Sequence, residues 1–448
     1  MAKIDSNLLI DQEWTGTFFP PDRQDLSFAG RLKYSPTNGL RLEFARPIDM
    51  TDRNLEWSYL LGNTSSGEPL TLVGKFSTEG NGVNMKYGMS YWTSTGYPFH
   101  YVVFGHHFDD AVTFDSFEFD ITGVQDFFAS DGMKNEIPFS KTDIVTAHCS
   151  AGEVKVIHSG KFDFVGNDLR VHFHSDDVAA IDELQKAYFE VRSRHPDFQP
   201  YLKRSLNYLF RFIPQIDLAI QNAHSIIQSV ADLFAMLSFE PAKLSRFSAT
   251  ARDEDGKPHP MTVFPSKIDD RGTIERSQAQ RKYHDLPLNN GDVDLGSLIA
   301  NWLEQGDRYL AISSMLQSKV SVISSHEIHG NIVLAATQLE GIAVQAGVTK
   351  KKGKYEYGLR NYASDKLRKR LAGLLNCAED DIGEHVSDLR NDIAHVGRPK
   401  KLLQKIDQRQ QFLISIALQA VVIGYALEEI GAAPRVREKY QDALTRAN

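Results

Sequence analysis

Cysteine is nearly absent from this chain. Cys149 and Cys377 are the only two in 448 residues, and at that separation they argue against a disulfide framework and against a cysteine-built zinc site. A reducing cytoplasm is the expected location. Long apolar runs are missing too: the opening MAKIDSNLLIDQEW carries acids where a signal peptide would be apolar, and no later stretch reads as a membrane span. No membrane step is expected. There is no basic surplus either. A formal net charge of -8 excludes a uniformly basic nucleic-acid-binding surface, although a local basic patch stays compatible with it. Internal repeats and low-complexity tracts do not occur.

Hydrophobic residues make up 42% and charged residues 24%, the proportions of a globular chain with a core to bury. A length of 448 residues points to two or three domains. The expected fold class is α+β, with an antiparallel β-rich sandwich or barrel-like region first and a mainly helical region after it. Residues 1–175 read as strands, with short alternating runs such as FEFDI, RLKYS and LRVHFH between Gly, Pro, Asn and Asp. In FEFDI, Phe117, Phe119 and Ile121 share one face. Residues 176–293 read as helical and irregular, opening with DDVAAIDELQKAYFEVRSR, whose acids come first and bases last as a helix dipole favours. Residues 294–448 read as a helical bundle.

One segment of that bundle carries chemistry. In EHVSDLRNDIAHVG, Val386, Leu389, Ile393 and Val396 form an apolar stripe, and Arg390, Asn391 and His395 lie off it. An Arg followed by Asn, three further residues and a His, near a helix end in a C-terminal bundle, resembles the HEPN nuclease motif. The upstream helix containing AATQLEGIA looks like the family helix whose carboxylate supports the site, which assigns that part to Glu340. The order of β-rich region, helical middle and bundle resembles ApeA-like proteins, a group in bacterial anti-phage defence. The resemblance implies a metal-independent endoribonuclease without cofactor, acting in abortive infection. It assigns transition-state stabilisation to Arg390, proton transfer to His395 and positioning to Asn391. It also implies a site shared across a homodimer, or a larger assembly of dimers. That agrees with the roughly 140° that five helical steps put between Arg390 and His395.

RNA is the expected substrate, and a basic stretch is placed to bind it. Lys350, Lys351, Lys352, Lys354, Arg360, Lys366, Arg368, Lys369 and Arg370 are interleaved with Tyr355, Tyr357 and Tyr362, and Arg398, Lys400 and Lys401 follow His395. Phosphates would meet the cations, and unpaired bases would stack on the tyrosines. The β-rich region holds no catalytic cluster and is the expected place for a phage-derived trigger to bind.

Bland readings compete with each of these. The bland alternative for His395 is a residue that favours the helix dipole, for Arg390 an ion-pair partner of Asp388 or Glu384, for Glu340 a solvated carboxylate, and for the lysines a solvated loop. HEIH at 326–329 lacks the spacing of a helical zinc site, and His172 with His174 lacks a third ligand. GVTKKKGKY departs from a phosphate-binding loop in its glycine spacing and in having Tyr355 after Lys354. Gly397 stands where some HEPN members carry a modifiable Tyr. Two other functions stay open: a non-catalytic scaffold binding nucleic acid or protein, and a ligand-binding β-sandwich with an exposed cluster of Trp57, Tyr91 and Trp92.

Overall fold

The computed structural model describes residues 4–47, 55–77, 82–86, 89–109, 112–128, 143–198, 200–252, 256–279, 281, 285–319, 324–349, 353–395, 397 and 399–446. Alternation builds its sheet. In β9 (Ser116–Ile121), Phe117, Phe119 and Ile121 are buried while Ser116, Glu118 and Asp120 are not. The earlier strands are β1 (Gln12–Phe19), β2 (Phe28–Ser35), β3 (Gly39–Pro47), β4 (Glu56–Thr64), β5 (Pro69–Ser77), β6 (Gly82–Lys86), β7 (Met89–Pro98) and β8 (Tyr101–Phe104). The short helix α1 (Val124–Phe128) is followed by β10 (Asp143–Cys149), β11 (Gly152–Phe164), helix α2 (Val178–Arg194) and β12 (Tyr201–Pro214). Helix α3 (Ile220–Ser238), β13 (Leu244–Arg252) and β14 (Pro258–Pro265) complete the region.

Among the described residues all pairings are antiparallel, and the strands form one fourteen-stranded sheet in the order β10-β11-β12-β9-β13-β14-β8-β5-β4-β1-β2-β3-β7-β6. The sheet therefore continues well past residue 175. Tyr208, Phe210 and Phe212 alternate inward along β12, and Phe210 stacks on Phe119 with centroids 5.0 Å apart. LRVHFH is not a strand: Leu169–Val171 forms a 3-10 turn, so His172 and His174 do not share a strand face. Trp57 and Trp92 pack against the core and form no exposed aromatic platform.

The remaining elements are helices: α4 (Arg271–Ser277), α5 (Leu295–Gln305), α6 (Leu310–Gln317), α7 (Ser325–Gln345), α8 (Lys354–Tyr362), α9 (Asp365–Leu375), α10 (Ile382–Ala394), α11 (Gln408–Glu429) and α12 (Pro434–Arg446). Helix α11 opens with a capping box between Asp407 and Gln410, and every residue from Ile414 to Leu427 is buried. It is long and apolar enough to cross a membrane, but most of it is packed inside the bundle. Sheet and bundle share one core, because α3 serves both. Phe234 meets Phe127 and Phe210 on the sheet side. On the bundle side Tyr440 donates to the Met236 carbonyl at 2.8 Å, and Trp302 donates to the Ser229 carbonyl at 2.7 Å.

Candidate active site

Helix α10 carries the Arg390–His395 segment. Ile382, Val386 and Leu389 are buried and hold it against α7, α8 and α9. Gly383 makes the close approach to α8 feasible: a Cβ there would meet the Glu356 backbone nitrogen at 2.8 Å, and its N–H donates to Glu356 Oε2 at 3.2 Å. The helix stops at Ala394, so the separation of roughly 140° expected from five helical steps does not apply to His395. His395 is already extended (φ -112°, ψ 115°), although its N–H still bonds the Asn391 carbonyl at 3.1 Å. Gly397, at φ +82°, turns the chain away from the helix end.

Arg390 occupies the last turn and is half-buried. Its Nη1 donates to Asn391 Oδ1 at 3.2 Å, and its Nε is buried without a hydrogen-bond partner. It makes no ion pair among the described residues, and Asp388 is engaged instead by Lys401 at 3.2 Å. Burying a guanidinium N–H without a partner costs stability, so this arrangement is not explained by stability.

Glu340, on α7, lies within electrostatic reach of Arg390. Lys354 Nζ donates to its carboxylate at 2.9 Å and the Tyr355 hydroxyl donates at 3.3 Å. The Lys354 hydrogen bond outweighs burial and, with the charges of Lys354 and Arg390, holds Glu340 below the usual carboxylate range. Burial, aided by the Glu340 charge, pushes the Tyr355 hydroxyl up. The result is an ionised carboxylate that ties α7 to α8 beside Arg390.

Asp392, which sequence reasoning passed over, braces the end of the helix. It is buried, and its Oδ2 accepts the backbone N–H groups of Leu402 at 2.7 Å and Leu403 at 3.0 Å. Burial alone would raise its pKa, but these N–H groups, that of Lys401 and the Lys400 ammonium together bring it below the usual range. Lys400 Nζ in turn donates to the Asp392 carbonyl and, at 3.0 Å, to the His395 carbonyl. The chain after His395 is thereby folded back onto α10. One signal was legible: an acid in the last helical turn, where the dipole disfavours it.

The basic stretch divides. Lys350, Lys351, Lys352 and Arg398 lie outside the described residues. Lys354 is bound to Glu340, Arg360 to Glu356 at 2.6 Å and Asp380 at 3.1 Å, Lys366 to Asp442, and Arg368 to Asp365 at 2.8 Å. Lys369 is exposed and Arg370 half-buried. The tyrosines do not stand out as stacking platforms. Tyr355 is buried, and Tyr362 packs edge-on against Tyr357 and Tyr425, because α8 is wedged between α7 and α10. His329 bonds Gln411 at 2.8 Å, and no cluster of three or more metal-ligating side chains occurs among the described residues.

Two family models cover this geometry. ApeA N-terminal domain 1 matches residues 13–302, and Apea-like HEPN matches residues 326–435. The chain belongs to the ApeA-like HEPN family. The HEPN match contains Glu340, Arg390, Asn391, His395 and the Asp392–Lys400 brace, and the ApeA N-terminal match runs from β1 into α5. HEPN domains are generally nucleases and typically dimerise and bind RNA, and the ApeA-like kind points to anti-phage defence. Comparison with curated proteins and with solved structures gives no match.

Proposed function

We propose that this chain is a metal-independent endoribonuclease that defends a bacterial cytoplasm against phage by cutting RNA and stopping growth. Arg390 carries the reading: a half-buried guanidinium with an unpartnered Nε, no ion pair among the described residues, and an ionised Glu340 close by. In the reaction the RNA 2′-oxygen bonds to the adjacent phosphorus while the P–O5′ bond breaks. The 2′-hydroxyl proton passes to a base and O5′ takes up a proton, leaving a 2′,3′-cyclic phosphate and a 5′-hydroxyl. His395 exchanges one of these protons near neutral pH. Arg390 neutralises charge on the non-bridging oxygens, Asn391 positions it, and Glu340 fixes its electrostatic surroundings. No metal or cofactor takes part.

The site is composite. His395 lies beyond the helix end while Arg390 lies within electrostatic reach of Glu340 in its own subunit, and in this reading two copies of α10 supply the full set across a homodimer. Lys350, Lys351, Lys352, Lys369, Arg370 and Arg398 bind phosphates. Lys354, Arg360 and Arg368, already ion-paired, shape the surface instead. A phage-derived trigger binds the β-rich region. The test is cleavage of total RNA by purified protein in a metal chelator. Wild type should leave cyclic-phosphate ends, and His395→Ala and Arg390→Ala should leave RNA intact. Equal cleavage by all three would remove the assignment.

A further inference from the structure

Helix α2 stands on an arm. Strands β11 and β12 pair along their whole length, but β10 leaves β11 at Ile157 and β9 touches β12 only at Phe210–Phe212. Beyond those points the two strands run on as a ribbon with no further strand paired to it among the described residues, and α2 closes its far end. The helix is fastened by one face. Tyr188 donates to the carbonyls of Val165 and Gly166 at 3.1 and 3.0 Å, Gln185 accepts the Leu169 N–H at 2.7 Å, and Asp182 pairs with Arg170 at 2.6 Å.

None of the 17 residues of α2 is buried. Of the thirteen large hydrophobic side chains exposed among the described residues, eight fall between Phe164 and Phe198, a concentration that marks a covered surface and not chance exposure. On α2 itself Ala180, Leu184, Ala187 and Val191 recur at spacings of four, three and four, all exposed. That is the seam of a helix pair, rotated about 90° from the face that grips the ribbon.

We propose that this seam packs antiparallel against the same seam of a second copy of the chain. The side chains favour that occupant. With a two-fold axis between Gln185 and Lys186, Ala180 faces the partner's Val191 and Leu184 faces the partner's Ala187, so a small residue meets a larger one at each layer. Charge agrees as well. Asp176, Asp177, Asp182 and Glu183 lie at or before the first half of α2, and Lys186, Arg192 and Arg194 in the second. Antiparallel pairing sets Arg194 beside the partner's Asp176 and Glu183 beside the partner's Lys186; none of these four has an ion-pair partner within its own subunit among the described residues. Glu190 gains nothing by it. A self-complementary patch of this kind is what a closed two-fold contact requires. The inference is independent of the nuclease reading, since α2 lies outside the HEPN segment.

Disulfide trapping tests it. In a Cys149→Ser, Cys377→Ser background, Leu184→Cys with Ala187→Cys should give a covalent dimer as the main product of mild oxidation. Phe189→Cys with Ser193→Cys, on the opposite face of α2, should give little. Arg194→Asp or Asp176→Arg alone should lower the trapped fraction, and the two together should restore it. Because no residue of α2 is buried, all variants should melt with their parent. No covalent dimer, equal trapping on both faces, or a double reversal no better than the single ones would overturn the proposal.

Discussion

Replacing Asp392 by Asn should loosen the turn that follows His395 without unfolding the protein. The carboxylate accepts two buried backbone N–H groups at 2.7 and 3.0 Å through one oxygen. An amide oxygen can still accept both, but without charge, and a charge-assisted hydrogen bond exceeds a neutral one by about 1 kcal/mol. The loss is therefore about 2 kcal/mol, which is roughly 30-fold in a local opening equilibrium. Hydrogen exchange at the Leu402 and Leu403 amides reads this, and both should exchange roughly 30-fold faster in Asp392→Asn while the amides of α11 keep their protection. Asp392→Ala leaves both N–H groups without an acceptor and should cost more, about 4 kcal/mol. The sign with pH follows from the depressed pKa. The brace is at full strength above roughly pH 4 and is lost as pH falls through the folded value, a limb that the Asn variant lacks. Unchanged exchange at Leu402 and Leu403 would refute the reasoning, because it would mean that the carboxylate does not hold the turn.

Arg390→Lys should keep the charge but lose the planar fork, and RNA cleavage should fall about 100-fold with the melting temperature unchanged. Glu340→Gln removes the ion pair with Lys354, which is partly exposed; stability should fall by less than about 1 kcal/mol in urea titration while cleavage falls further than stability. Lys319 donates to the Phe239 carbonyl at 2.9 Å, and burial, with Arg276 and Arg281 nearby, pushes its pKa down to about 7. A base whose pKa is depressed by folding is charged in both states below about 7, so wild-type stability should rise as pH goes from about 7 towards 10. Lys319→Met should flatten that rise in thermal melts.

Much of the fold can be read from residue periodicity. Phe117, Phe119 and Ile121 sit where a half-buried strand puts them; of the expected stripe, Val386 and Leu389 are buried, Ile393 is half-buried and Val396 lies outside the described residues. The strand β12 was harder to see, because it runs straight into the polar start of α3 and its Tyr208, Phe210 and Phe212 find their partners far away in β9 and β11. The misreading of Tyr355, Tyr357 and Tyr362 has a similar cause. An aromatic residue in a lysine-rich stretch looks exposed, whereas the wedging of α8, with Gly358 against Leu339, buries Tyr355 and leaves Tyr357 and Tyr362 half-buried against the core. Arg390, His395 and Glu340 enter the proposed site through the resemblance to HEPN nucleases. Of the Asp392–Lys400 brace only the acid in the last helical turn was legible, since the partners of both side chains are backbone groups that leave no trace in side-chain pattern.

The measurement to make is phage challenge together with total-RNA integrity in cells carrying wild type or His395→Ala at matched expression. Wild type should protect and its RNA should fragment on infection, and the variant should lose both. Protection retained by His395→Ala with RNA intact in both strains would contradict the nuclease assignment and leave the helical domain as a binding scaffold.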